Sequence, residues 1–126
     1  MKFLSVLFLG LLVLGGCKST PEQYLTEPAI TVELFNLQNY WVPKTKTFSF
    51  KPRTFKQPKN SGAVKVKYLI DSNGEIFNPI VVESLPKGSW DKHALRAVSK
   101  FKYMPSKANS SKTPVYVTME IKFEPE

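Results

Sequence analysis

Residues 62–76 read GAVKVKYLIDSNGEI, and this stretch decides the fold. Its apolar side chains recur at every second position, which is the period of a strand with one buried face. These side chains are Val64, Val66, Tyr68 and Ile70. Asn73-Gly74 then lies between two alternating apolar runs, a strong signal of a β-hairpin. The second strand is predicted from Glu75 to Ser84, with Pro79 indicating a bulge or an edge position.

A helix is predicted after the hairpin. It opens near Trp90-Asp91, with Ser89 or Asp91 as its cap, and ends before Pro105. One apolar stripe is spaced to face a sheet, and consists of Ala94, Leu95, Val98 and Phe101. Its last turn would carry two basic side chains, which suit a helix C-terminus, from Lys100 and Lys102.

The last strand is predicted at 115–123, where apolar and polar residues alternate. A right-handed crossover would make the second and third strands parallel, with the first strand between them and antiparallel to both. The predicted fold is therefore α+β: a three-stranded, mainly antiparallel sheet with one helix packed on it. A core of this size is thin, so we expect part of residues 28–55 to complete it.

The N-terminus indicates export. An apolar run, Phe3–Val13, follows Lys2 and leads into Leu14-Gly15-Gly16-Cys17, which resembles the lipobox of bacterial lipoproteins. That resemblance implies a signal peptide at 1–16 and a covalent lipid on Cys17, and Lys18 after it favours the outer membrane, facing the periplasm. A plain signal peptide and a transmembrane anchor are the alternatives. Residues 3–16 are, however, too few to span a bilayer, which needs about 20.

Residues 17–60 are predicted to be a lipid-anchored, partly ordered leash, and 61–126 the folded domain. Fully stretched, residues 18–60 would reach at most about 140–155 Å. No acidic residue occurs between Leu34 and Ile70, and the leash carries a basic patch of Lys44, Lys46, Lys51, Arg53, Lys56 and Lys59. Attraction to anionic lipid or cell-wall polymer fits this charge. Export argues against a nucleic-acid partner. Short strands or packing on the domain are expected at 30–35 and 48–50.

Catalysis has no basis in the residue inventory. His93 is the only histidine, and we expect it at the surface or partly packed on the helix. Paired carboxylates, a metal-ligand cluster and a glycine-rich phosphate loop are all missing from the sequence. We therefore predict a protein that is not an enzyme, with no catalytic residue, no metal site and no cofactor other than the lipid on Cys17.

The order of several short motifs resembles the TonB C-terminal domain family. The matching segments run in sequence through 62–68, 71–76, 90–98, 101–105 and 113–123. The resemblance implies a protein-binding module whose last strand pairs with an extended peptide of an outer-membrane transporter. It places the partner-binding strand at Val115, Tyr116, Val117, Thr118 and Met119, with Tyr116 and Thr118 on the exposed face. The alternative is that residues 30–50 of the chain itself cover this edge.

Two departures from that family bear on function. A TonB protein spans the inner membrane with an N-terminal helix and carries a long proline-rich spacer, whereas this chain has Cys17 and a short leash. Two hypotheses remain. One is a transport-linked adaptor that adds a partner strand, from a transporter, another envelope protein or a second copy of the chain. The other is a structural envelope lipoprotein whose basic segment binds anionic lipid or cell-wall polymer.

Overall fold

A computed structural model of the chain describes residues 22–44 and 57–125. Within them lie six strands, one α-helix and one 3-10 helix. In chain order these are β1 Ile30–Thr31, the 3-10 helix Leu34–Asn39, β2 Trp41–Pro43, β3 Gly62–Ile70, β4 Ile76–Leu85, α1 Asp91–Val98, β5 Tyr103–Pro105 and β6 Val115–Phe123. None of the helices in these described ranges is both long and apolar enough to cross a membrane.

The main sheet has the strand order β1-β6-β3-β4. β3 is antiparallel to both β4 and β6, so the three strands predicted from the sequence occur in the predicted arrangement. The sheet has a fourth strand that was not predicted, because β1 adds to β6 in parallel. A second small sheet, also not predicted, pairs β2 with β5.

The main sheet has two distinct ends, which we call the turn end and the far end. At the turn end, Ile70 lies opposite Ile76 on one side and Val115 on the other. At the far end, β3 begins at Gly62, which pairs with Phe123. β6 therefore runs from the turn end to the far end of the sheet.

The predicted hairpin is formed, and one carboxylate organises its turn. The buried side chain of Asp71 accepts the backbone N–H groups of Asn73 and Glu75 at 2.9 and 3.0 Å. Gly74 has φ +80°, and a Cβ there would lie 2.0 Å from the carbonyl oxygen of Tyr103. The turn therefore needs glycine both for its backbone conformation and for the close approach of β5.

β4 is an edge strand with an irregularity, as Pro79 indicated. The register between β3 and β4 shifts at two places, one of them between Lys67 and Leu69, opposite the Pro79 segment. Asn78 has φ +52°, a left-handed backbone conformation that Asn adopts more readily than most residues. Both the bulge and the edge position predicted from the proline are confirmed.

The helix is shorter than predicted, and its caps differ. It begins after Trp90, which makes no side-chain capping bond, so neither Ser89 nor Asp91 is the N-cap. It ends at Val98, so the predicted basic last turn lies beyond it. The physical reason is long-range pairing, which pulls residues 103–105 into a strand: the N–H of Tyr103 donates to the carbonyl of Gly74 at 3.0 Å.

The described part of the predicted leash, 22–44, lies on the domain and completes its core. Trp41 is 1% exposed, and its Nε1–H donates to the carbonyl oxygen of Thr113 at 2.8 Å. Leu37 of the 3-10 helix is also buried. The partial order expected near 30–35 and the expected need for extra core residues are therefore confirmed, and residues 48–50 lie outside the described residues. The predicted boundaries at 16/17 and 60/61 stay predictions.

Candidate partner-binding edge

β6 has one buried and one partly exposed face. Val115 and Val117 are 0% and 1% exposed and point into the core, whereas Tyr116 and Thr118 lie on the other face and are half-buried. Lys67 of the neighbouring strand lies over the Tyr116 ring, 5.5 Å from its centroid. The orientation predicted for Tyr116 and Thr118 matches this geometry, and their role in binding stays a prediction.

β1 covers the first part of the outer edge of β6. The N–H of Ile30 donates to the carbonyl of Pro114 at 3.1 Å, and the N–H of Val32 donates to that of Tyr116 at 2.9 Å. Register pairs join Ile30 to Val115 and Thr31 to Tyr116. Two residues of the predicted partner-binding strand are thus paired with the chain itself.

The covering strand is short and ends well before β6 does. After Val32 the chain enters the 3-10 helix, which lies near β6 without pairing with it, and no strand within 22–44 or 57–125 pairs with β6 beyond Tyr116 on this side. Backbone groups along a strand alternate between its two edges. The N–H and C=O groups beyond Tyr116 on the outer edge therefore belong to Thr118, Glu120 and Lys122. We refer to residues 118–122 as the open edge, which is about 14 Å long.

A groove of about 320 Å³ borders the open edge, lined by Thr31, Val32, Glu33, Leu34, Lys65, Thr118 and Glu120. Part of its rim is apolar, since Leu34 of the 3-10 helix lines the groove and is 44% exposed. The groove is thus wide enough for side chains of an added strand and offers them both apolar and charged neighbours. Sequence reasoning missed it because the rim comes from residues far from β6 in the chain.

The charges along the open edge are mixed. Lys122 lies 3.9 Å from Glu120, and Lys65 lies 3.2 Å from Glu83 across β3 and β4. All four side chains are well exposed, so each pair contributes at most about 1 kcal/mol. Exposed charges on an edge strand discourage indiscriminate strand pairing. The exposed charges of Glu120 and Lys122 therefore disfavour indiscriminate pairing along the open edge.

A second apolar surface lies on β4. Ile80, Val82 and Leu85 are 55%, 49% and 64% exposed. Beside Leu85, at the far end of the sheet, a groove of about 530 Å³ is lined by Ser61, Gly62, Ala63, Leu85, Pro86, Lys122, Phe123 and Glu124. Bulges in β4 oppose the addition of a further strand at that edge. β6 is accordingly the better template for strand addition.

The remaining predicted site residues are those of the basic patch and the lipid attachment site. Cys17 lies outside the described residues, as do Lys46, Lys51, Arg53 and Lys56. Lys44 and Lys59 are described and exposed. The backbone N–H of Lys44 donates to the carbonyl of Lys102 at the end of β2. Both predicted sites stay predictions.

Buried polar groups of the core have structural roles. The hydroxyl groups of Tyr68 and Tyr103 are 2.6 Å apart. Burial raises the pKa of Tyr68 far above its usual range and also raises that of Tyr103, so both phenols are neutral at physiological pH. His93 is buried, whereas a surface or partly packed position was expected, and its ring lies 5.2 Å from that of Trp90. Within the described residues, no three His, Cys, Asp or Glu side chains form a group that could hold a metal ion.

Comparisons with known proteins agree with this geometry. The family model for the C-terminal domain of Gram-negative bacterial TonB proteins matches residues 52–125. Among solved structures, the solution NMR structure of the Pseudomonas aeruginosa TonB C-terminal domain matches with a TM-score of 0.57 and 24% sequence identity. That match covers 75% of this chain and 94% of the Pseudomonas chain. Among curated proteins, none matches the chain.

Proposed function

Because the chain belongs to the family of Gram-negative TonB protein C-terminal domains, we propose that it binds a partner protein of the cell envelope by strand addition to the open edge of β6. The family is one of protein-interacting rather than catalytic domains, and it is associated with transport across the envelope. The observation that carries the proposal is that no strand within residues 22–44 and 57–125 pairs with the outer-edge backbone groups of Thr118, Glu120 and Lys122, which lie beside a groove lined in part by Leu34.

β1 supports the proposal because it shows that this edge accepts an added strand. Its two residues pair in parallel with Val115 and Tyr116, at ordinary hydrogen-bond distances. A partner strand on the open edge would extend the same side of the sheet. Three residues offer six backbone groups there, and each bond formed contributes about 0.5–1.5 kcal/mol net. Main-chain pairing supplies affinity, and side chains in the groove supply specificity.

The proposed setting is the periplasmic face of the outer membrane, with a lipid on Cys17 as the anchor. Two or more acyl chains give stable attachment, whereas one chain is marginal. The partner would be an outer-membrane transporter or another envelope protein with an extended periplasmic segment. Force transmission is not part of the proposal, because the anchor proposed here is a lipid on Cys17 and not the membrane-spanning helix of a TonB protein.

In-cell photocrosslinking tests this proposal. A photoreactive residue at Lys122 should capture an extended segment of an outer-membrane barrel protein, and Glu120→Pro should abolish that capture. The same residue at Tyr116 should react with residues 30–32 of the chain itself, because β1 lies beside it. Val82 on β4 is the matched control. Equal capture from Lys122 and Val82, or none from Lys122, would refute strand addition at the open edge.

The alternative is a structural lipoprotein whose basic segment binds anionic lipid or cell-wall polymer. Exposed Lys44 and Lys59 favour it. Attraction between exposed charges is screened beyond about 8–10 Å at physiological salt. Binding of the full chain to phosphatidylglycerol vesicles or to cell-wall polymer that collapses with added salt, together with no capture from Lys122, would support this alternative.

A further inference from the structure

We propose that the turn end of the domain lies against the membrane, with Tyr24 and Leu25 in contact with the lipid surface, and that the open edge of β6 projects away from it. This inference rests on the proposed lipid attachment at Cys17. It concerns what the tertiary structure does to the tether and its orientation, which the function proposed above leaves open.

The N-terminal segment becomes fixed to the domain at Tyr24 and Thr26. The N–H of Tyr24 donates to Asp71 Oδ2 at 3.1 Å, and its carbonyl accepts the N–H of Ser72 at 2.8 Å. Two residues later, the N–H of Thr26 donates to Ser72 Oγ at 2.9 Å, and its hydroxyl donates to the carbonyl of Ser111 at 2.8 Å. Asp71 and Ser72 are each 1% exposed. Residues 24–26 are therefore held at the turn end of the sheet.

Only a short length of chain remains between Cys17 and this fixed point. From Cys17 to Tyr24 a fully extended chain spans at most about 25 Å. The sheet itself is longer, because β6 from Val115 to Phe123 rises about 27 Å between the turn end and the far end. With the far end against the membrane, Tyr24 would stand farther from the surface than a fully stretched tether allows. The tether thus permits the turn end, but not the far end, to face the lipid.

The turn end presents two large exposed side chains. Tyr24 and Leu25 are 51% and 43% exposed, although both are large and partly apolar. They lie where the tether joins the domain. A tyrosine has an apolar ring and a polar tip, which suits the boundary between headgroups and acyl chains. The short length of the tether and this exposed pair both indicate that a lipid surface contacts the turn end.

The orientation has a consequence for the partner. The open edge begins at Thr118, about 10 Å along β6 from Val115, and ends at Lys122, about 24 Å along it. A partner in the same membrane must therefore supply an extended segment that rises past the turn end. A peptide that arrives from the aqueous side meets no obstruction from the bilayer.

Lysine footprinting on vesicles tests the orientation. The lipidated chain, purified from envelope membranes, is reconstituted in vesicles of phosphatidylethanolamine and phosphatidylglycerol and treated with a water-soluble acetylating reagent. Lys112 at the turn end should react several-fold more slowly than in detergent solution, whereas Lys87 and Lys122 near the far end should react at unchanged rates. Equal protection at both ends, or stronger protection of Lys87 and Lys122, overturns the proposal.

Two controls separate the possible causes. Inserting about 20 Gly/Ser residues between Pro21 and Glu22 adds a coil of about 25 Å, and should remove the difference between the two ends. Protection of Lys112 that persists in this variant would show adsorption without a short tether and would overturn the tether argument. An intact mass without diacylglycerol would refute only the proposed lipid attachment in the cell and would leave the orientation to be measured separately. The orientation is then measured on the same chain with a maleimide-linked lipid on the Cys17 thiol.

Discussion

Replacing Trp41 by alanine should destabilise the whole domain, although Trp41 lies in a segment that the sequence marks as a leash. Its ring is 1% exposed, contacts the core and lies next to Gly74. A buried tryptophan removes about 200 Å² from water, which at about 25 cal/mol/Å² corresponds to about 5 kcal/mol. Measured costs of such truncations are about 3–5 kcal/mol, a large part of the roughly 5–15 kcal/mol that stabilises a typical domain.

The assay is urea unfolding followed by the fluorescence of Trp90, which is the one tryptophan that remains in the variant. Trp41→Phe separates the two contributions of the side chain. It keeps most of the buried ring but leaves the carbonyl of Thr113 without its donor, so a loss of about 1–3 kcal/mol is expected. Phe35→Ala is the matched control, because Phe35 is in the same segment and 74% exposed. It should change the free energy of unfolding by less than about 0.5 kcal/mol.

A loss below about 1 kcal/mol for Trp41→Ala would refute the reasoning, since ordinary surface substitutions approach that size. It would mean that residues 22–44 leave the domain at little cost. The tether would then extend from Cys17 past residue 44, and the proposed membrane orientation would be refuted as well. A loss of the expected size would show that the N-terminal segment is part of the core and that the tether is short.

Three further perturbations test other parts of the structure. Gly88→Ala should lower the free energy of unfolding by about 1–2 kcal/mol, and Gly74→Ala should lower it by more. Both glycines have positive φ, but only a Cβ at position 74 would meet the carbonyl of Tyr103. Comparable losses in urea unfolding would contradict this. Glu120→Pro should leave the free energy of unfolding almost unchanged, because the N–H of Glu120 faces the open edge and proline is tolerated at sheet edges. Partner capture should disappear in the same variant. Unfolding of the variant would show that this N–H is needed within the domain. The free energy of unfolding should also fall as pH rises above the ordinary tyrosine pKa of 10.0, because the folded domain raises the pKa of Tyr68 and the unfolded chain loses that proton first. A Tyr68→Phe variant should show a weaker decline with pH. An identical decline in the variant would assign the effect to other groups.

Local patterns determined much of this fold. The alternation in β3 and β6 and the Asn-Gly turn each lie within about ten consecutive residues, so the hairpin, the last strand and their faces could be predicted. Pro79 indicated an irregular edge strand because proline cannot take part in an ordinary ladder. The orientation of Tyr116 and Thr118 came from the same two-residue period, and the family resemblance supplied the partner-binding strand.

The end of the helix could not be predicted from local sequence patterns. Its apolar stripe was read correctly through Val98, but the same period continued to Phe101 and suggested a longer helix. Tyr103 instead pairs with Pro43 in β5 and β2 and bonds Tyr68 through its hydroxyl. Contacts between distant segments therefore decided where the helix ends, because helix propensity is weak compared with tertiary pairing.

The sequence by itself determined the hairpin, the order of β6, β3 and β4, and the buried face of β6. The hairpin and the buried face rest on side-chain periodicity and the Asn-Gly turn, and the order rests on the handedness of the crossover. Only the tertiary structure decided that β1 covers Val115 and Tyr116, that the open edge begins at Thr118, and that Trp41 belongs to the core. β1 has two residues and β2 has three, too few for any period to be recognised. Segments of that length are held by partners elsewhere in the chain, and so their positions are set by packing rather than by their own composition.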